Sequence, residues 1–174
     1  RGRAAVSEAL GWRLVPPTIL RQDAPRGVGS IQLYIDHDPE INYFTLDDSF
    51  LPQLARFALF DAITNNADRK GGHALLGPDQ KLWGIDHGIC FHSVPKLRTV
   101  IWNFAGQPIP EELLTQIDTF YNQACVSDSG LQQQLGKLLS TSEVDALLMR
   151  TQRLLRRKLF PQPGHGPYYP WPPI

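Results

Sequence analysis

The chain has 174 residues, 42% of them apolar, enough for one domain with a sizeable core. Seventeen basic and seventeen acidic residues give a formal net charge of zero, so no global field argues for nucleic acid or an acidic membrane surface as a partner. Cys90 and Cys125 are too few for a disulfide framework and fit a reducing cytoplasm, with a single bridge as the alternative; no apolar run approaches the roughly 20 residues of a membrane span, and no signal peptide is visible.

Ala4 to Leu10 reads as a helix stopped by Gly11. It has no N-cap residue, as though the front of a longer helix were cut away, and residues are expected before Arg1. Trp12 to Leu20 and Ile31 to Asp36 read as two strands joined by a turn at 24–30, with Pro16-Pro17 making the first an edge or bulged strand. Gly27-Val28-Gly29 is read as a hairpin turn in preference to a phosphate-cradling loop, because a lone G-x-G is weak evidence. From Leu51 to Thr64, Leu51, Leu54, Ala55, Ala58, Leu59 and Ala62 keep helical spacing behind Pro52, and Asn65-Asn66 end the helix.

The stretch from Asn65 to His92 mixes carboxylates, glycines and three of the five histidines. Gly77-Pro78-Asp79-Gln80 is a turn signal between Ala74–Leu76 and Leu82–Ile85, which predicts a hairpin. Folding back at Pro78/Asp79 returns Asp86 to the end where His73 begins, so Asp68, His73 and Asp86 are expected at one mouth. Residues 89–110 have no periodicity and read as a long functional or mobile loop. Helices are expected from Pro110-Glu111-Glu112 to about Gln123, from Leu131 to Leu139, and from Ser142, as its cap, to about Phe160. The basic cluster Arg150 to Lys158 reads as a solvated helix end rather than a nucleic-acid patch. Six prolines in residues 161–174 make an irregular tail, which Tyr168, Tyr169 and Trp171 are expected to pin. Strands early and helices late make the fold class α+β.

An Asp, a second ligand five residues on, and another Asp before a glycine across a hairpin suit phosphoryl transfer: one carboxylate takes the nucleophile's proton, and the others hold the metal that neutralises the phosphates. Asp68-Arg69-Lys70-Gly71-Gly72-His73 and Asp86-His87-Gly88 have the spacing of D-x-x-x-x-N and D-x-G. With Asn66 and the Ile85-Asp86-His87-Gly88 run, the chain resembles the atypical kinases of the phosphatidylinositol 3-/4-kinase-like superfamily, and within it a bacterial branch of uncharacterised proteins. The resemblance runs from the first helix through Gly11-Trp12 and Val15-Pro16-Pro17-Thr18 to the Pro-Trp-Pro-Pro tail.

That resemblance implies a protein-kinase-like fold, mostly the helical C-lobe with a truncated N-lobe. Residues 1–36 would be the N-lobe remnant, 37–160 the C-lobe and 161–174 the tail. It implies ATP as cofactor with Mg²⁺ or Mn²⁺, Asp68 as catalytic base, Lys70 on the transferring phosphate, and Asp86 with His73 as metal ligands. Tyr34, Ile35, Asp36 and His37 would hold adenine, and Lys96 and Arg98 would meet the acceptor. The acceptor is expected to be a protein or small molecule rather than a lipid, since no lipid-binding stripe is seen.

Two departures carry expectations. His73 stands where the family usually has Asn, which favours Mn²⁺ over Mg²⁺ and predicts loss of metal below roughly pH 6, where imidazole protonates. No strand lysine or glycine loop precedes Ala4, so residues 1–174 alone should bind ATP poorly. Two other classes compete: a metal-dependent phosphoesterase built on Asp68, His73, Asp86 and His92, and a nucleotide-binding pseudokinase-like module. ATP dependence separates the first from a kinase. His87 is expected to be a structural hydrogen bonder, Arg69 to anchor the loop on a carboxylate such as Asp61, Trp83 and Trp102 to be packing residues, and Phe57 and Phe60 to be core.

Overall fold

The structure is a computed structural model that describes residues 2–23, 25–127 and 129–174. It is α+β, with five helices and two small antiparallel sheets among the described residues. Helix α1 (Gly2–Ala9) ends as predicted at Gly11, whose φ of 73° is the left-handed conformation a helix stop needs. Val6 and Leu10 enter the core, and the buried Ser7 hydroxyl accepts from the backbone N–H groups of Leu14 at 2.7 Å and Val15 at 3.3 Å. One side chain thereby fixes the chain where it leaves the helix.

The first sheet is shorter than predicted. Its strands are β1 (Thr18–Arg21) and β2 (Gly29–Gln32), paired with Ile19 opposite Ile31. Pro16 and Pro17 have no N–H to donate, so the ladder starts only at Thr18, and Trp12, Leu14 and Val15 serve as core residues instead. Past β2 the chain makes one more bond, Leu33 N–H to the Pro17 carbonyl at 2.8 Å, and residues 34–36 run free of the sheet. Gly27 has φ 88°, in keeping with a hairpin turn, although Ala24 in that predicted turn lies outside the described residues.

Helix α2 (Leu51–Thr64) is the centre of the molecule. Phe57, Leu59, Phe60 and Ile63 are fully buried, so nearly every face of this helix is covered, as a helix apolar all round requires. The hairpin predicted beyond it is present: β3 (Ala74–Leu76) pairs with β4 (Leu82–Gly84) in the register Ala74 to Gly84 and Leu76 to Leu82. Its turn closes by Gly77 N–H to the Lys81 carbonyl, with Gln80 at φ 60°. Gly84 N–H also donates to the Leu14 carbonyl at 2.7 Å, which joins the hairpin to the segment after α1.

Helices α3 (Glu111–Cys125), α4 (Gly130–Gly136) and α5 (Thr141–Arg157) pack on one another, α5 lies against α2, and α4 against α1. The cap of α5 is Ser140, not Ser142: Ser140 and Glu143 form the reciprocal S-x-x-E box, and Lys158 in the left-handed region (φ 54°) stops the helix short of Phe160. Helix α4 likewise ends at Gly136 rather than Leu139.

Residues 89–110 carry no helix or strand but are held to the body. Thr99 bridges Arg69, and Val100 and Ile101 are buried. The tail is attached differently from expectation. The Tyr168 ring does meet Trp102 edge-on, but the hydrogen bonds go to carbonyls: Tyr168 accepts from Thr99 N–H and the Trp102 indole, and Pro173 accepts from Gly71 N–H at 2.7 Å. The Trp171 side chain is 88% exposed and pins nothing. Cys90 and Cys125 are free thiols, and burial pushes the Cys90 thiol up to about 11.

Candidate active site

The site begins where α2 ends. Asn65 takes the left-handed cap conformation, and its side chain does more than cap: Nδ2 donates to the carbonyls of His92 and Val94, while Oδ1 accepts from Lys96 N–H. Asn66 donates to Asp61 at 2.9 Å and accepts from Asp68 N–H at 3.0 Å, an Asx-type turn that sets the backbone at Asp68. The two asparagines thus tie the helix end to both the 92–98 segment and the loop that follows.

Arg69 is the largest fully buried side chain described. Its Nε and Nη2 meet both oxygens of Asp61 at 2.9–3.2 Å, and both side chains are inaccessible to solvent. Burial of this pair is tolerable only because the geometry is bidentate and the remaining groups are satisfied. Asn66 and Thr99 also donate to Asp61, and Arg69 Nη1 donates to the carbonyls of His73 (3.1 Å) and Ile85 (3.3 Å). The guanidinium also lies 5.3 Å from the Phe57 ring centroid. The pairing with Asp61 foreseen from the sequence is therefore present, and it clamps the ends of both hairpin arms.

Those arms deliver His73 and Asp86 to one place. Ile85 N–H donates to the His73 carbonyl at 3.0 Å, and His73 Nε2 stands 3.6 Å from Asp86 Oδ2. The other ring nitrogen, Nδ1, lies 3.0 Å from the Asp68 carbonyl and 3.4 Å from the Lys70 backbone N–H; the shorter contact, to an acceptor, favours the tautomer with the proton on Nδ1. Burial, then the Arg69 charge, holds the imidazole below its ordinary pKa, outweighing the opposing pull of Asp86. At neutral pH the ring is uncharged, so the contact with Asp86 is not an ion pair. In the tautomer with the proton on Nδ1, Nε2 presents a lone pair beside a carboxylate that is 64% exposed. Asp86 sits at φ 44°, a conformation non-glycine residues take at a cost, and that turn aims it away from the strand path.

His87, as expected, is structural in its surroundings: it is buried edge-on against Phe60, with ring centroids 5.6 Å apart. It is nonetheless no hydrogen bonder through Nε2, which has no partner among the described residues. Burial foremost, then Arg69 and Arg3, keeps it neutral, well below the usual histidine range.

Asp86, His87 and Gly88 line a cavity of about 200 Å³ together with Arg3 from α1 and Thr18, Ser30 and Gln32 from the first sheet. Ser30 and Gln32 alternate on β2 and so share a face, a period-two signal the sequence carried. Arg3 gave no such signal. Asp68 and Lys70 are half-buried near His73 but do not line the cavity, and the Asp68 carboxylate has no hydrogen-bond partner among the described residues. Tyr34 to His37 follow the cavity-lining Gln32 without lining it themselves: Tyr34 is 77% exposed, Ile35 is buried and His37 Nδ1 lies 2.8 Å from the Ile35 carbonyl. Lys96 is exposed, and Arg98 is half-buried with its backbone bonded to Asn66 and Arg69.

Among the described residues, no three His, Cys, Asp or Glu side chains gather as a metal-binding group. Asp68 meets His73 through its backbone carbonyl, and His92 turns to the Val94 N–H. The convergence of three side chains on one mouth is thus corrected to a pair, His73 and Asp86, and the four-ligand hydrolytic centre is not favoured. A neutral imidazole nitrogen and a carboxylate 3.6 Å apart do fit a divalent ion, whose neighbouring ligands stand about 3 Å apart for bonds near 2.1 Å. Two protein ligands suit a metal that arrives with phosphates rather than one held in an all-protein cage.

A reversed hairpin with a loop acid and a histidine–carboxylate pair is compatible with a kinase-like phosphotransferase domain, the general class that the family match supports. The chain matches the family Phosphatidylinositol 3- and 4-kinase over residues 15–153, and it belongs to that family. It is similar to Protein Rv2133c of Mycobacterium tuberculosis, with 37% identity over 203 aligned residues that cover 96% of this chain and 71% of that protein. No solved structure matches. The family generally uses ATP and Mg²⁺. No helix among the described residues is long and apolar enough to cross a membrane.

Proposed function

We propose that the protein transfers a phosphoryl group from ATP to a protein or small-molecule acceptor. The observation that supports this reading is a cavity lined by Asp86, with His73 Nε2 3.6 Å from that carboxylate, at the end of a hairpin clamped through Arg69. Asp86 and His73 would hold the divalent ion, which when bound neutralises phosphate charge. Asp68 takes the proton of the acceptor hydroxyl, a role that suits a half-buried carboxylate with no hydrogen-bond partner among the described residues. Lys70, two residues on, reaches the transferred group. Tyr34 to His37 border adenine, and Lys96 and Arg98 meet the acceptor. Residues 1–36 act as the end of an N-lobe, 37–160 as the C-lobe and 161–174 as a strap on the catalytic loop. Because His73 supplies nitrogen where oxygen is usual, Mn²⁺ should serve better than Mg²⁺. The two free thiols support work in the reducing cytoplasm, where ATP is found.

The test is transfer of γ-labelled phosphate by the full-length protein, offered protein extract, small-molecule extract and phosphatidylinositol vesicles as separate acceptors. Asp68→Asn and Asp86→Asn should each lower transfer by about 100-fold or more, as loss of a base or a metal ligand does. Transfer unchanged in both variants overturns the assignment, and transfer to the vesicles alone overturns the acceptor class.

A further inference from the structure

A metal ligand is only as well placed as the main chain that carries it, and the groups that orient it from outside set much of its affinity. His73 ends a single 3₁₀ turn, Gly71–His73, closed by its N–H to the Lys70 carbonyl at 3.2 Å. The first N–H of such a turn has no partner within it. The Pro173 carbonyl takes that N–H, on Gly71, at 2.7 Å and so brings the tail onto the loop between Lys70 and His73. We infer that the tail is a positioning element for His73: by holding Gly71 it sets the turn that brings the imidazole to Asp86, and so tunes metal affinity from outside the cavity.

Gly71 is held on three sides. Pro173 takes its N–H, the Tyr43 N–H donates to its carbonyl at 3.2 Å, and a Cβ at this position would stand 2.7 Å from the Phe44 ring. The missing side chain is what lets the tail and the Tyr43-Phe44 segment both close on it. Gly72, the next residue, has open space around it, so the turn is fixed through Gly71 rather than through its neighbour. A second anchor of the tail lies beside Arg69: Thr99, whose N–H donates to the Tyr168 carbonyl at 3.1 Å, bridges Arg69. The tail thus spans the segment alongside Arg69 and the turn that follows it. It adds little to the core, since Pro170 alone of residues 161–174 is buried, and none of its residues lines the cavity beside Asp86. Four of the eight residues 167–174 are proline. Prolines offer carbonyl acceptors with no N–H to satisfy, and their fixed φ reduces the freedom lost when the segment docks. A segment with main-chain anchors, little buried surface and a low ordering cost suits docking on a loop that it orients.

This role rests on the phosphotransfer reading, in which His73 and Asp86 share the divalent ion, and the experiment separates the two. In the full-length protein a protease site is inserted at the exposed Gly164-His165-Gly166 stretch, and the tail is cut after folding and removed by gel filtration. Mn²⁺ binding with ATP present is then read by spin resonance of the free ion. The cut should weaken Mn²⁺ by about 10-fold to 100-fold, as loss of an orienting partner does, and added peptide of residues 167–174 should restore it. In His73→Asn protein the same cut should change affinity by less than about 2-fold, because the ligand it positions is gone. Unchanged affinity once the tail has left, a loss that the peptide does not reverse, or an equal loss in His73→Asn overturns the role of the tail and leaves the phosphotransfer reading standing. An uncut wild-type protein that binds no Mn²⁺ with ATP removes both. If the cut tail stays bound, a chain lacking residues 167–174 decides by the same comparison with His73→Asn.

Discussion

Replacing Arg69 by methionine is the perturbation with the most structure behind it. The substitution leaves the Asp61 carboxylate buried with no countercharge, although Asn66 and Thr99 still donate to it, and it removes the donor shared by the His73 and Ile85 carbonyls. Breaking one side of a buried ion pair costs about 3–5 kcal/mol. For a chain of this size each kcal/mol moves the melting temperature by roughly 2–4 °C, so a loss near 4 kcal/mol lowers Tm by about 8–16 °C. The double variant Arg69→Met/Asp61→Leu should regain much of this, because no uncompensated charge is left. It should not regain phosphate transfer, because the two carbonyls at the hairpin ends still lack their donor. The assay is thermal unfolding of the wild type, both single variants and the double variant, read as a double-mutant cycle. A Tm drop under about 3 °C in Arg69→Met, or strictly additive effects, refutes the clamp.

Ser7→Ala deletes one hydroxyl that serves two buried N–H groups, and should destabilise by about 1–3 kcal/mol in denaturant unfolding; a change within about 0.5 kcal/mol means water or a shifted backbone replaces it. Acid should weaken the fold through His87 and, to a lesser extent, His73. Both are held neutral below the ordinary imidazole pKa, so the unfolded chain binds more protons, and stability is full above about pH 6.5 and falls as pH drops below it, by at most about 1.4 kcal/mol per unit for each ring. Urea unfolding at about pH 7.5 and about pH 5.5 checks this; His87→Leu should flatten the dependence, and an equally steep fall in that variant rules out His87 as its source. His73→Asn should shift the metal preference from Mn²⁺ towards Mg²⁺ in the transfer assay, and an unchanged Mn²⁺-to-Mg²⁺ ratio takes His73 out of the metal shell.

Local signals and tertiary facts divide what could be read in advance. The hairpin was legible because a Gly-Pro-Asp turn between two apolar runs has few other solutions, and Arg69 with Asp61 was legible because a lone acid inside an apolar helix demands a countercharge. The first sheet was overextended since alternation continues through Trp12 to Val15, whereas the two prolines and the pull of the core end the ladder at Thr18. Of Tyr168, Tyr169 and Trp171, expected to pin the tail, Tyr168 meets Trp102 edge-on, but the hydrogen bonds that hold the tail go to main-chain carbonyls, which leave no trace in side-chain chemistry. Arg3 was invisible for a related reason. Its place in the cavity comes from where α1 packs, not from any spacing to Asp86, 83 positions away in the sequence. Asp68 joined its neighbours only in part: the spacing from Asp68 to His73 is kept, but a backbone carbonyl makes the contact.

The pairing of His73 with Asp86 on one ion is the claim on which the rest stands, and electron-spin resonance of Mn²⁺ with ATP bound to the full-length protein addresses it directly. In protein labelled with ¹⁵N at histidine, a ¹⁵N coupling to the metal should appear, vanish in His73→Asn and be accompanied by weakened Mn²⁺ binding in Asp86→Ala. Bound Mn²⁺ with no histidine coupling, and equal affinity in Asp86→Ala, contradicts the account.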